Sequence, residues 1–449
     1  MTSASLAGSR LRTVRPAGFP LGGDNAATLA MVVGATAIAA AAGFLLFHGP
    51  LPLAVALCLL PLVVWLFARP GAVLVLLGLS IPITYSLTGN RAGFHLSPSD
   101  LLLVFAFAGL VFRATATGSF PGLGALRAVK VPVLQYAAFM LILLGAHLGI
   151  SDFFKTGQRY ELFVLPLIVG AFAAMSNRYL LVLKGYVIAA TALAVIWPFD
   201  QSIGQKNPVG QMIANAVLVL IAIPSLRRFF PCLLILLPGL FYTESRGAIG
   251  AAIIGTLVIS VFTGTAARIV RRRIVVLAVL AVVLFFLVLP SSLRSRVTTL
   301  SAGTSSTAAY TLVIRQEYSK DAEAIIRRHP WTGVGIGNYT QADSQSAQPT
   351  DDPHEVLLLQ AAEGGYGLAV SFVLLIAGTA VVLFTRMRRI PLAAAAAGVL
   401  LATAVHGLVD VYWVRGTPIL GWLLVGMACG EFLRERQESE EEQEVHDAA

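Results

Sequence analysis

The stretch DDPHEVLLLQAAEGGYG, residues 351–367, places a dense group of titratable residues beside a long apolar run. Histidine is well suited to accept a proton near neutral pH, so His354 is a candidate general base. We expect a short helix to start at Asp351–Pro353, because carboxylates are favoured at a helix N-terminus, and to break at glycines 364–365. In the first turn of that helix His354 would be held as the neutral imidazole. An ordinary capping sequence with a solvated histidine also fits, and on these residues alone it is slightly favoured.

Two further segments contain groups suited to binding a ligand. In TESRGAIG (243–250), Arg246 could clamp a phosphate with its planar guanidinium or simply extend to the membrane surface, and these residues leave both readings open. In HPWTGVGIGNY (329–339), three glycines at alternate positions lack the GxGxxG spacing of dinucleotide-binding loops. Nucleotide binding is therefore disfavoured, and a turn that lets the backbone approach a ligand is the alternative.

The composition defines the class of protein that must position these groups. The 449 residues are 57% hydrophobic and 12% charged, with mean hydropathy +0.80, whereas soluble domains carry about 25% charged residues. We therefore predict an all-α polytopic membrane helix bundle with about 12–14 transmembrane helices. The net charge of +9 does not indicate a nucleic-acid partner, because most lysines and arginines fall in short loops on one side of the membrane.

The alternation of basic and non-basic loops predicts a topology with both termini in the cytoplasm. The predicted domains are a cytoplasmic N-terminal segment (1–26), an N-terminal transmembrane bundle (27–290), an extracytoplasmic catalytic loop (291–365), C-terminal transmembrane helices (366–432) and a cytoplasmic acidic tail (433–449). The tail is charged and lacks apolar periodicity, so we expect it to be solvated and partly disordered.

The long loop contains one clear helical pattern. TLVIRQEYSKDAEAIIRRH (311–329) has apolar residues at helical spacing between charges, which predicts an amphipathic helix at the membrane surface. Pro330 should end this helix, because proline cannot continue a helix interior. A membrane transporter, another class of protein with many spans, would not require an outer loop of this length carrying a histidine.

The motif around His354 resembles the signature of the O-antigen ligase/polymerase superfamily. His354, nine intervening residues and then Gly364-x-x-Gly367, with Glu363 just before, are similar to that family's H-x9-G-x-x-G motif. The sequence SRGAIGA (245–251) is similar to its outward Ser-Arg-Gly motif.

Two other elements extend the resemblance. Arg315 on the predicted surface helix, followed by HPWTGVGIGNY, is similar to the family's loop pattern of an arginine and then P-x-x-G-x-G. GQKNPVG (204–210) is a weaker match to a Gly…Asn-Pro-Asn turn, with Val209 in place of the second Asn.

The resemblance implies a membrane glycosyltransferase without a metal or cofactor. It would move a preassembled glycan from a polyprenyl (undecaprenyl) diphosphate donor to an acceptor hydroxyl, at the outer face of the bacterial cytoplasmic (inner) membrane and with inversion. His354 would be the general base, and Arg246 and Arg315 would bind the diphosphate. Supporting candidates are Glu355, Glu363, Gly364, Gly367, Arg159, Arg91 and Arg415.

The acceptor stays open at this point. A lipid-linked sugar would make the protein a ligase, a growing glycan would make it a polymerase, and a protein hydroxyl would make it an oligosaccharyltransferase. A lipid or polysaccharide transporter is the alternative from another class, and it predicts titratable residues near mid-membrane. The sequence offers few, since Glu161 and Asp410 lie near predicted span ends and His406 about one turn from one.

Overall fold

The computed structural model describes residues 69–83, 97–118, 122–262, 306–343, 352–410 and 416–447, with parts of 268–276. Within these ranges every regular element is helical. The α-helices are α1 (Pro70–Ser80), α2 (Pro98–Thr117), α3 (Lys130–Ala146), α4 (Ile150–Met175), α5 (Tyr179–Ile196), α6 (Lys206–Ala222), α7 (Leu233–Tyr242), α8 (Arg246–Val261), α9 (Ser306–Arg328), α10 (Tyr339–Asp343), α11 (Val356–Arg386), α12 (Pro391–His406) and α13 (Ile419–Asp447). Short 3-10 helices cover Ala125–Ala128, Gln201–Ile203 and Pro224–Cys232.

Several of these helices are long and apolar enough to cross a membrane. Five segments in the described part of the chain meet that description: Pro98–Thr115, Ser151–Met175, Tyr179–Ile196, Pro224–Tyr242 and Val356–Arg386. Shorter apolar helices are α1, α3, α8 and α12. The prediction of an all-α polytopic membrane bundle is confirmed, and the total of about 12–14 spans stays a prediction.

Helix α6 forms the buried centre around which the functional segments are arranged. Every residue from Val209 to Ala222 is buried, although this helix also carries Gln211 and Asn215. Helices α5, α8 and α12 pack against it. Polar side chains in such a helix need partners on the neighbouring helices, because apolar surroundings supply none.

The amphipathic helix predicted in the long loop is present as α9, and it ends at Arg328, two residues before Pro330. Its buried residues Ala322, Ile325 and Ile326 pack in one cluster with α11 residues such as Leu359. The apolar face of α9 therefore packs on the protein, whereas we had expected it to rest on the membrane surface. Its position fixes the residues of α9 relative to the start of α11.

The start of α11 differs from the expectation. The helix begins at Val356, so His354 lies in the preceding turn and not in the first helical turn. The φ angle of His354 is +54°, which is incompatible with a right-handed helix. The cause is local, because the Asp352 carboxylate accepts the His354 backbone N–H at 2.9 Å and forms a turn that competes with the helix. Asp352 thus shapes the turn and does not cap α11.

The expectation of a partly disordered C-terminal tail was also wrong. The C-terminal tail is helical to Asp447, because Arg434 and Arg436 pair with glutamates three and four residues away, and each such pair adds about 0.2–0.5 kcal/mol to a helix. Helix α4 begins at Ile150 and therefore contains Arg159, one of the supporting candidates.

Candidate active site

His354 is positioned by three side chains from separate parts of the chain. Its Nδ1 lies 3.3 Å from Oδ1 of Asp410 and 3.6 Å from Oδ1 of Asp352. The Tyr318 ring, on α9, stacks on the imidazole with centroids 5.6 Å apart and planes at 27°. The side chain is 36% exposed, so a ligand can reach it. Since Nδ1 faces the carboxylates, Nε2 is the nitrogen available to a substrate.

Asp410 is a component of this site that the sequence interpretation missed. It follows the end of α12, its side chain is 12% exposed, and its backbone N–H donates to the carbonyl of His406 at 3.0 Å. The other carboxylate oxygen, Oδ2, accepts a hydrogen bond from Nδ2 of Asn207. The available signal was an ionisable residue near the end of an apolar segment, which in membrane proteins is often functional.

The pKa of His354 is raised. The hydrogen bond to Asp410 is the largest cause, the charges of Asp352 and Asp410 act in the same direction, and burial and Arg315 oppose them. The expectation that a helix start would favour the neutral imidazole was wrong, because His354 lies before the helix and the two carboxylates outweigh burial and Arg315. An imidazole oriented through Nδ1 by a carboxylate can take a proton at Nε2, and the carboxylate then stabilises the imidazolium.

The two arginines predicted to bind a diphosphate lie at this same end of the bundle. Arg315 donates from Nη1 to the carbonyl of Val409 at 2.7 Å, which places it beside Asp410. Arg246 is the first residue of α8, and the preceding Ser245 caps that helix by accepting the Ala248 N–H at 3.3 Å. The Arg246 side chain is exposed.

Close packing brings the Ser-Arg-Gly segment next to the end of α12. A Cβ at Gly247 would lie 2.3 Å from Nε2 of His406, so only glycine permits this approach. The start of α6 is similarly close to α8, because a Cβ at Gly210 would lie 2.9 Å from Cβ of Ala248. The 204–210 and 245–251 motifs, far apart in sequence, therefore meet beside Asp410.

Three helix N-termini consequently point to one end of the bundle, those of α6, α8 and α11. Ser245 caps α8, whereas Gln205 and Glu355, at the same position of α6 and α11, make no side-chain cap bond. Helix N-termini carry partial positive charge and favour anions. Together with Arg246 and Arg315, they make this end suited to a diphosphate.

Glu363 and the glycine-rich segment have a different role. The Glu363 carboxylate forms a buried ion pair with Arg159 at 2.8 Å and accepts the Gly337 N–H at 2.9 Å. The loop also pairs with α11 through Val334 N–H to the Ala362 carbonyl at 3.0 Å and Gly335 N–H to the Glu363 carbonyl at 2.9 Å. These contacts hold the loop against α11 at Ala362 and Glu363, just before the glycines, and not at His354.

The expected break in α11 is confirmed at Gly364 and Gly365. Gly365 has φ +70° and ψ −178°, a combination essentially restricted to glycine, and its N-terminal neighbour is also non-helical. A Cβ at Gly365 would lie 2.5 Å from the backbone carbon of Trp331. Gly367 lies against Phe139, since a Cβ there would be 2.2 Å from Cζ of that ring.

The remaining predicted residues divide into two groups. Glu355 sits next to His354, and burial raises the pKa of its carboxyl. Asp351, Arg91 and Arg415 lie outside the described residues.

Within the described part of the chain, no group of three or more His, Cys, Asp or Glu side chains is arranged to hold a metal ion.

These segments can be compared with known families. Residues 231–372 match the O-antigen ligase family. The match confirms the resemblance inferred from the motifs, and it spans Arg246, Arg315, His354 and the glycine break of α11. A comparison with curated proteins finds no match. Asn207, His406 and Asp410 lie outside the matched O-antigen ligase region, and the fold brings them to it.

The family match supports O-antigen ligase- or polymerase-type activity in general terms. In combination with the apolar helices, it describes a multi-pass membrane protein whose O-antigen ligase match runs from just before α7 into α11.

Proposed function

We propose that this protein is a glycosyltransferase that moves a preassembled glycan from a polyprenyl diphosphate to an acceptor hydroxyl. The observation that carries the proposal is the contact of His354 with Asp410 beside Arg315, within a region that matches the O-antigen ligase family. The reaction would take place at the outer face of the bacterial cytoplasmic membrane, with both termini in the cytoplasm.

In the proposed reaction, the acceptor oxygen forms a bond to the anomeric carbon while the bond from that carbon to the phosphate oxygen breaks. The acceptor proton passes to Nε2 of His354, and Asp410 stabilises the imidazolium through Nδ1. Attack opposite the departing diphosphate inverts the anomeric configuration. Arg246, Arg315 and the helix N-termini stabilise the negative charge that develops on the leaving group.

The test uses purified protein, a lipid-linked glycan donor and three separate acceptors, which are a lipid-linked sugar, a growing glycan and a protein. Mass spectrometry of the products identifies which acceptor is glycosylated. His354→Ala should lower turnover by about 10²–10⁴-fold, the usual contribution of a general base, while donor binding persists. Wild-type turnover in His354→Ala would contradict the assignment of the base.

A transporter is the second candidate function, and one observation favours it. Gln211, Asn215 and His406 are buried polar residues within the bundle, and such residues often mark transport routes. The reaction assay distinguishes the two functions, because a transporter forms no new glycosidic bond in detergent solution.

A further inference from the structure

The buried helix α6 presents polar residues at a regular spacing of four. Asn207, Gln211 and Asn215 therefore lie on one face of the helix, and we call them the α6 polar stripe. The cost of burying an amide without a partner is several kcal/mol in an apolar environment. Gln211 and Asn215 are fully buried and Asn207 is half-buried, so the stripe needs a structural or functional reason.

The residues of the stripe bond to one another and to the end of α12. Nε2 of Gln211 donates to Oδ1 of Asn215 at 2.8 Å and approaches Oγ1 of Thr403 at 3.4 Å. Nδ1 of His406 lies 2.6 Å from Oε1 of Gln211. One turn nearer the candidate active site, Asn207 donates to Asp410.

We propose that the α6 polar stripe is a positioning device for the active site, in which Asn207 holds the Asp410 carboxylate in the orientation that His354 requires. This inference rests on the proposed function, since it assigns His354 and Asp410 to catalysis. Asn207 would not touch the substrate. It acts through Asp410, and Gln211 with His406 fixes the helix end from which Asp410 projects.

The geometry explains why such a device is needed. Asp410 lies in a short turn after α12 and His354 in a turn before α11, so neither backbone position is fixed by a regular helix. With Oδ2 bound to Asn207 and Oδ1 facing His354, the Asp410 carboxylate cannot rotate freely. The imidazole is then held with Nδ1 toward the carboxylate and Nε2 toward the substrate. In other active sites, too, residues that do not touch the substrate orient the reacting group through hydrogen bonds.

A double-mutant cycle tests the role of Asn207. Asn207→Ala should lower kcat roughly tenfold, or about 1.4 kcal/mol in activation free energy, with the donor KM unchanged. In an Asp410→Asn background the same substitution should cost less than about twofold, because residues that act through one another are non-additive. Equal losses in both backgrounds would overturn the proposal.

A second measurement does not depend on activity. Diethyl pyrocarbonate modifies only the neutral imidazole, so the pH dependence of His354 modification, followed by peptide mass spectrometry, reports its protonation. The charged and aromatic groups around His354 are Asp352, Asp410, Arg315 and Tyr318. Asn207→Ala and Asp410→Asn should both move the modification midpoint to lower pH, because each weakens the hydrogen bond that favours the imidazolium. An unchanged midpoint in Asn207→Ala would overturn the positioning role.

The control is Arg327→Ala, a substitution on α9 of a residue whose side chain is 69% exposed and pairs only with Glu323 on the surface of the same helix. It should leave both kcat and the midpoint at wild-type values. Thermal unfolding of each variant separates positioning from loss of fold. If His354→Ala remained active, the proposed base would be wrong, and the modification midpoint would still decide whether Asn207 acts on His354 through Asp410.

Discussion

At the scale of single residues, the two oxygens of the Asp410 carboxylate serve different partners. Oδ1 faces His354 and Oδ2 accepts from Asn207. His354 is thus connected to α6 through Asp410, 56 positions from it, and Asp410 is in turn bound by Asn207, 203 positions from Asp410. The chemistry of His354 is set by this chain of contacts as much as by its own residue type.

The pH dependence of turnover follows from the raised pKa of His354. As a base it must be neutral, so activity should fall as the pH drops through its pKa, and the hydrogen bond that His354 donates to Asp410 places that acidic limb at higher pH. Asp410→Asn removes the largest cause of the shift and should move the limb to lower pH while reducing kcat. Initial rates across the pH range measure both effects. A limb that stays in place after Asp410→Asn would contradict the link, and a limb that remains in His354→Ala would assign it to another group.

The two arginines can be tested for geometry as distinct from charge. If Arg246 and Arg315 grip a diphosphate with two parallel hydrogen bonds, lysine cannot replace them, because an ammonium lacks the planar fork. At both positions, Arg→Lys should therefore lower kcat/KM nearly as much as Arg→Ala does. Arg327→Ala is the control, since Arg327 lies on the same helix as Arg315 but is exposed and pairs only weakly with Glu323 at 3.5 Å. Full activity in both lysine variants would instead indicate arginines that only reach toward solvent.

At the scale of helices, the kink in α11 is supported by the loop that follows α9. The loop supplies hydrogen bonds where the helix lacks its own, including Tyr366 N–H to the Pro330 carbonyl at 2.9 Å. The buried Arg159–Glu363 pair fastens the same region to α4. The glycine-rich motif is thus better explained by close packing on α11 than by direct contact with His354.

Gly365→Ala tests this explanation. The substitution forces a side chain into a backbone conformation that costs about 1–3 kcal/mol for other residues, and its Cβ would meet the Trp331 backbone. We expect a lower unfolding temperature in detergent and a loss of turnover. Gly145→Ala is the matched control in α3, where a Cβ meets nothing within 4 Å; there alanine should be neutral or stabilising. Equal behaviour of the two variants would contradict the strained role of Gly365.

The features of the fold and of the candidate site that the sequence predicted are those whose physical cause lies in neighbouring residues of the chain. The glycine break and the end of α9 just before Pro330 were predictable, because glycine and proline act on their own backbone. The turn at His354 was not, since the Asp352 side chain outcompeted the helix. Arg159 with Glu363 and Asn207 with Asp410 could not be paired from one sequence, because nothing local relates residues some 200 positions apart.

At the scale of the whole molecule, the last three helices carry a group of arginines to the end of the bundle opposite His354. From the His354 end, α11 runs to Arg386, α12 returns to His406, and α13 then leads to Arg434 and Arg436. Arg388, just after α11, reaches the carbonyl of Val261 at the far end of α8. Arg386, Arg388, Arg434 and Arg436 thus lie at the end opposite His354, and the positive-inside rule predicts a cytoplasmic location for that end.

This arrangement predicts which cysteines a membrane-impermeant reagent can reach. In a background lacking Cys58, Cys232 and Cys429, Lys320→Cys on α9 should be labelled in intact spheroplasts, whereas Glu438→Cys on α13 should be labelled only after lysis. Both native side chains are about equally exposed, at 68% and 65%, so accessibility within the protein does not bias the comparison. Labelling of Glu438→Cys but not Lys320→Cys in intact spheroplasts would place His354 on the cytoplasmic side. The donor would then be used before it crosses the membrane, and the proposed outer-face reaction would be wrong even if His354 were the base.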